Sequence, residues 1–146
     1  FNDYVITVNP ETRLPRNYDR FVNLIEQLFE YGRVPPQKHQ TALLTLEHKT
    51  LTQLIREVKP SYALAFSRTG KPHTLEEAIS KLSNEKRPLL IVGGFPHGHF
   101  SEETLKLVNE TVCIDPDMLE TWTVISRAIY EYERALSISK KRLSGT

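Results

Sequence analysis

The stretch Pro88-Leu89-Leu90-Ile91-Val92, followed at once by Gly93-Gly94-Phe95-Pro96-His97-Gly98, decides how this chain is read. An unbroken Leu-Leu-Ile-Val run has no polar face. It fits a strand covered on both sides, the usual state of strands in parallel sheets. Ligands of such sheets bind beyond the carboxyl ends of the strands, and here glycines stand at that end. Glycine has no Cβ, so its backbone can lie close against a ligand. From the residues alone, a ligand loop and a plain tight turn carry equal weight at this place. Gly-Gly-Phe-Pro-His-Gly does not follow G-x-G-x-x-G, and the chain holds no G-K-[ST], which disfavours dinucleotide and P-loop readings. Pro96 lacks an N–H and would interrupt a row of phosphate-cradling amides.

Working outward, strands alternate with helices. Tyr4 to Val8 reads as a strand ending at Asn9-Pro10. Asn17 suits a helix N-cap, and Phe21, Leu24, Ile25, Leu28 and Phe29 then form one apolar face. Gly32 ends that helix and Pro35-Pro36 prevents its resumption. Ala42 to Leu46 suits a short strand. Thr50 caps a second helix that stops before Pro60. Tyr62 to Phe66 is a short buried strand, with Ser67 to His73 as the loop after it. Thr74 and Glu77 form an S/T-x-x-E capping box that opens a third helix through Leu82. Beyond the glycine loop come a short helix from Ser101 to Val108 and a strand from Thr111 to Ile114. A last helix is expected from Met118 to Lys140, opened by an Asp117/Glu120 capping box. Its residues Trp122, Ile125, Ile129, Tyr132 and Leu136 make a seam for packing against a neighbour.

This alternation predicts an α/β fold with a mostly parallel sheet and helices on both faces. Three loops lie at strand ends: Ser67 to His73, Gly93 to Phe100, and Asp115 to Asp117. The first two hold Gly70, Gly93, Gly94 and Gly98, four of the chain's six glycines, which makes them the main pointer to a ligand site.

The 146 residues suffice for one domain with a real core. Hydrophobic residues are 39% and charged residues 25%, ordinary for a soluble chain. No run approaches the ~18 apolar residues of a membrane span, and no signal peptide is visible. The single cysteine, Cys113, excludes an internal disulfide framework and fits a reducing compartment. It reads as a buried strand residue, because nothing marks a paired base. His97 and His99 alternate within a loop, but no third ligand stands at a sensible spacing for a metal. Net charge is +1, so any basic site must be local. The local candidate is Arg13-Leu-Pro-Arg16-Asn-Tyr-Asp-Arg20, three arginines at a helix entry, where forks and helix amides both favour phosphate. The plainer reading, a solvated loop paired with Glu11 and Asp19, has the greater weight from spacing alone. The chain begins at Phe1 within a strand-like run, which suggests a trimmed N-terminus.

Together these pieces resemble one family. Asn9-Pro-Glu-Thr-Arg13-Leu-Pro-Arg16-Asn-Tyr-Asp-Arg20-Phe21, with Leu24-Ile-Glu-Gln-Leu28 after it, resembles the signature of the ribosome-biogenesis rRNA pseudouridine N1-methyltransferases, also called the essential-for-mitotic-growth family. Val92-Gly-Gly-Phe-Pro-His-Gly98, and Trp122 to Arg134 with its Ile129-Tyr-Glu-Tyr-Glu-Arg134, are similar to the archaeal branch.

The resemblance implies a SPOUT fold, an α/β domain spanning 1–146 with a C-terminal trefoil knot, working as a homodimer and here lacking its N-terminal part. It implies S-adenosyl-L-methionine as cofactor. The loops carried over by position supply Phe66, Ser67, Thr69 and Gly70, then Gly93, Gly94, Phe95 and Gly98, then Cys113, Ile114, Asp115, Met118 and Leu119. It implies small-subunit rRNA as substrate, held by Arg13, Arg16 and Arg20. Ribosomal proteins or assembly factors are further expected partners, and the cytoplasm is the expected location. No catalytic base is assigned. Two alternatives stay open: a SPOUT methyltransferase of another RNA such as tRNA, and a catalytically idle RNA-binding assembly factor.

Overall fold

The computed structural model describes residues 3–95 and 98–145, which fall into two compact units, Phe1–Glu57 and Val58–Thr146. In the first, β1 (Tyr4–Val8), α1 (Tyr18–Tyr31), β2 (Arg33–Val34) and β3 (Leu44–His48) precede α2 (Leu51–Val58). The sheet order is β1-β3-β2 and both pairings are antiparallel, with Ile6 opposite Leu46 and Val34 opposite Leu44. Asn17 caps α1 as expected, its side chain accepting the Arg20 N–H at 3.1 Å. Gly32 closes the helix in the left-handed region (φ 69°), where a Cβ would be strained, and its N–H returns to the Leu28 carbonyl. Leu28, Val34 and Leu44 form a small core with Leu24 and Leu46 packed against it.

The expected α/β fold with a parallel sheet is met in the second unit, whereas the sheet of this first unit is antiparallel. β1, α1 and β2 make a crossover in which the two strands run the same way. The chain then reverses and lays β3 between them. The two-residue β2 is too short to leave a periodic signal, so the reversal was hidden in the sequence.

In the second unit, β4 (Tyr62–Pro72), α3 (Leu75–Ser83), β5 (Pro88–Val92), α4 (Glu102–Leu105), β6 (Glu110–Cys113), α5 (Thr121–Ala135) and α6 (Ile138–Ser144) follow in order. Its sheet is parallel, order β5-β4-β6. Leu64, Phe66, Ala78, Ile79, Leu82, Val112, Val124 and Ala128 form one core joining the sheet to α3 and α5. Full burial of a side chain such as Leu64 contributes about 1.5–3 kcal/mol. The Thr74–Glu77 capping box forms in both directions, at 2.8 and 3.2 Å.

Two expectations change in this unit. The segment after Phe66 is not a free loop: β4 runs on to Pro72, and its register with β6 shifts between Phe66 and Lys71. Phe66 and Lys71 both stand in register with Val112, so residues 67–70 bulge out between them. The last helix is also not continuous. Ser137 adopts φ 53°, left-handed for a residue with a Cβ, and separates α5 from α6. Its start is later than expected, because Asp115 takes the Asp117 N–H at 2.9 Å and no side chain caps α5 at Glu120. Residues 115–119 thus serve a loop rather than a first helical turn.

Candidate functional site

The carboxyl ends of the three parallel strands open into a cavity of about 340 Å³, within the range of small-molecule sites. Each strand contributes the loop that follows it. Phe66 comes from β4 and Ser67 and Arg68 from the bulge that follows it; Gly93, Phe95 and Gly98 come from the loop after β5. Ile114, Asp115, Met118 and Leu119 come from the segment after β6. These nine of the thirteen expected cofactor residues are brought together. Thr69, Gly70, Gly94 and Cys113 are not among the lining residues. The cavity also takes Val92, His99, Phe100, Asp117, Thr121 and Val124, which sequence reasoning missed along with Arg68. Asp117 and His99 lay inside stretches already flagged. Thr121 and Val124 carried no signal, being assigned to a helix interior. Pro96 and His97 lie outside the described residues, and among those described no His, Cys, Asp and Glu gather as a metal site.

Local physics explains how each loop is held. Ser67 and Thr69 hydroxyls lie 3.0 Å apart and brace the bulge. Gly70 seats it: a Cβ there would stand 2.6 Å from the backbone of Thr111 and Val112. Gly70 is therefore needed for strand packing against β6. At Gly93 a Cβ would meet the Phe95 ring at 2.9 Å, so the ring folds onto bare backbone. Phe95 in turn meets Phe100 edge-on at 5.4 Å. The Thr121 hydroxyl donates to the Gly93 carbonyl at 2.8 Å, tying the glycine loop to the start of α5. Among the described residues a Cβ on Gly94 would meet nothing within 4 Å. The Cys113 thiol donates to the Asp115 carbonyl at 3.2 Å and supports the third loop.

The walls are apolar at Phe66, Val92, Ile114, Leu119 and Val124, and Ser67, Arg68, His99, Asp115, Asp117 and Thr121 add polar groups in comparable measure. Asp115 and Asp117 set an acidic side, Arg68 a basic one, with no ion pair between them among the described residues. That donor set fits a ligand with a flat apolar body, polar edges and charges of both signs.

At the opposite end of the same strands, Glu110 accepts from Tyr62 at 2.8 Å and from Lys81 at 2.7 Å, with His73 at 3.8 Å. The Lys81 hydrogen bond, then that of Tyr62, hold the Glu110 carboxyl below its usual range. Burial, then the bond to Glu110, push the Tyr62 phenol up to about 12. This cluster braces α3 against β4 and β6, away from the cavity.

In the first unit, Arg13 and Arg16 lie in the loop before α1 and Arg20 in its first turn, all exposed. Among the described residues none of the three forms an ion pair, so the anticipated pairing with Glu11 and Asp19 is not seen.

The EMG1/NEP1 methyltransferase family model matches residues 1–133. The chain belongs to the EMG1/NEP1 methyltransferase family. It is 40% identical over 132 residues to the ribosomal RNA small subunit methyltransferase Nep1 of Pyrococcus furiosus, covering 90% of this chain and 56% of that protein. The Thermococcus onnurineus Nep1 is 39% identical over 132 residues, covering 90% and 58%. Among solved structures, Archaeoglobus fulgidus Nep1 bound to S-adenosylhomocysteine superposes with TM-score 0.73 at 34% identity, covering 93% of this chain and 59% of that one. The chain thus spans under two thirds of the length of these EMG1/NEP1 relatives. The match to the family bears out the resemblance carried by the arginine segment, the glycine loop and α5.

Proposed function

We propose that this chain carries the cofactor-binding and part of the RNA-binding machinery of an S-adenosyl-L-methionine-dependent methyltransferase that acts on N1 of a pseudouridine in small-subunit rRNA. The observation that carries the reading is the cavity beyond Phe66, Val92 and Cys113, built from three loops at the ends of parallel strands. The A. fulgidus relative that shares this fold binds S-adenosylhomocysteine. Apolar walls would receive the adenine ring and exclude water. The glycine loop would offer backbone groups to its edge, and Asp115 would accept from ribose hydroxyls. When bound, S-adenosylmethionine supplies an electrophilic methyl on a sulfonium, and the Asp115 and Asp117 carboxylates give the cavity the sign of charge that such a cation favours.

The substrate nitrogen must lose its N1 proton as it gains the methyl, and the protein's contribution is chiefly to hold the base in line with that methyl. Arg13, Arg16 and Arg20 are free to grip phosphates around the target nucleotide, which must leave its stack to be modified. The finer fold reading is a SPOUT domain with a C-terminal knot. It is supported by the double registration of Phe66 and Lys71 on Val112, where Gly70 presses against β6. A homodimer is supported by an apolar strip left exposed on α5: Trp122 at 68%, Ile125 at 41% and Ile129 at 56%. Among the described residues no helix is long and apolar enough to cross a membrane; the proposed rRNA substrate supports a reading in which the protein works in the cytoplasm, alongside ribosomal proteins or assembly factors.

Calorimetric titration with S-adenosylmethionine and S-adenosylhomocysteine tests the cofactor reading. Micromolar binding of either is expected, and absence of binding at millimolar ligand sinks it. For the RNA reading, an Arg13, Arg16 and Arg20 triple alanine variant should bind a small-subunit rRNA hairpin more weakly. Its log–log salt slope should flatten by roughly 0.7–0.9 per lost phosphate contact, with cofactor affinity unchanged. Equal affinity and slope in parent and variant would refute it.

A further inference from the structure

Arg68 has no counterpart in the charge scheme of its own unit. It sits within the four-residue bulge in β4 and lines the cavity. Among the described residues its guanidinium takes part in no hydrogen bond or ion pair, although Asp115 and Asp117 line the same cavity. It is also the only lysine or arginine among the cavity's described lining residues. The bulge that presents it is fixed at both ends. Phe66 is buried in the core before it, and Gly70 lies against the β6 backbone after it, with the Ser67–Thr69 hydroxyl contact between. A guanidinium on such a braced segment is positioned before any ligand arrives, so little ordering is needed on binding.

We infer that Arg68 binds the carboxylate of the amino-acid moiety of the cofactor, fixing that end of the ligand while the apolar walls hold the adenosine. The inference rests on the cofactor reading above and goes beyond it, in assigning the recognition of one ligand group to one side chain. The chemistry matches at both poles. A planar guanidinium fork pairs with a carboxylate by two parallel hydrogen bonds. The Asp117 carboxylate, on the acidic side of the cavity and without a hydrogen bond or ion pair among the described residues, complements the ammonium and sulfonium charges. A cavity with one cation and one carboxylate, Asp117, left without a partner among the described residues is suited to a zwitterion, and a neutral nucleoside would leave both unsatisfied.

The test compares S-adenosylhomocysteine with 5′-methylthioadenosine, which keeps the adenosine thioether and lacks the amino-acid group. Both are titrated by calorimetry into the parent chain, Arg68→Ala and Arg68→Lys. The parent is expected to prefer S-adenosylhomocysteine. Arg68→Ala should weaken that ligand by roughly 10- to 100-fold, the range for a charge-assisted hydrogen bond, while methylthioadenosine binds as before. Arg68→Lys, which keeps the charge and loses the fork, should fall between. Unchanged S-adenosylhomocysteine affinity in Arg68→Ala overturns the inference and leaves the cofactor reading standing. So does an equal loss for both ligands, which would make Arg68 a support of the adenosine pocket. Loss of rRNA-hairpin affinity alone would also overturn it, by assigning Arg68 to phosphate. If the parent binds neither ligand, the cofactor reading falls and this inference with it.

Discussion

Replacing Gly70 with alanine tests the packing that shapes the cavity. An added Cβ would lie 2.6 Å from the Thr111 carbonyl carbon and from the Val112 N and carbonyl carbon. Carbon atoms in contact prefer about 3.5–4.0 Å, so relief needs a displacement of about 1 Å. Every obstructing atom is backbone of a paired strand, and no side chain can swing aside. Moving β4 from β6 by that much would stretch the bond from the His73 N–H to the Cys113 carbonyl, now 3.1 Å. Overpacking costs about 1–3 kcal/mol where neighbours adapt, and this site belongs at the upper end, ~3 kcal/mol. At about 2–4 °C per kcal/mol for a chain of this size, Tm should fall by roughly 6–12 °C. The control is Gly94→Ala. Its Cβ would meet nothing within 4 Å among the described residues, and its φ is not left-handed. That change should be neutral, or stabilising by ~0.4–1 kcal/mol through the unfolded chain. Thermal unfolding followed by far-UV circular dichroism reads both variants. If Gly70→Ala melts with the parent, or Gly94→Ala melts as low as Gly70→Ala, the seating of the bulge on β6 is wrong.

Three further predictions concern stability and assembly. Lys81 and Tyr62 depress the Glu110 carboxyl, so its contribution is present above its unfolded value of about 4.3 and is lost as pH falls through the lower folded value; Glu110→Gln should flatten the acid side of a Tm-against-pH series, and an unchanged series would count against the brace. Thr74→Ala removes one half of the capping box on α3 and should cost about 1 kcal/mol in urea denaturation, whereas a cost below ~0.3 kcal/mol would show that the cap is not needed in place. Ile129→Glu puts a charge in the exposed apolar strip of α5, so a dimer in sedimentation velocity at micromolar concentration should become a monomer, and a monomeric parent would remove the basis for the proposed interface.

What the sequence determined by itself was local. Hydrophobic period and capping chemistry marked most helices and strands, because Asn17, Thr50, Thr74 and Ser101 bond to backbone three residues away. The Leu-Leu-Ile-Val run marked a buried parallel strand, and the glycines after it marked where a ligand loop could form. The arginine segment and the glycine loop also carried the family resemblance. What only the tertiary structure decided depends on contacts far apart in the chain. β3 inserts antiparallel between β1 and β2, since a two-residue strand has no period to read. Gly70 meets β6 more than 40 residues later, so its need for hydrogen in place of a Cβ has no local sign. Thr121 and Val124 join the cavity because α5 starts beside the glycine loop, where the Thr121 hydroxyl reaches the Gly93 carbonyl. Arg68 has the same history: in sequence it is one arginine in a loop, and only the bulge pinned between Phe66 and Gly70 turns it toward the cavity as its one strong cation among the described residues.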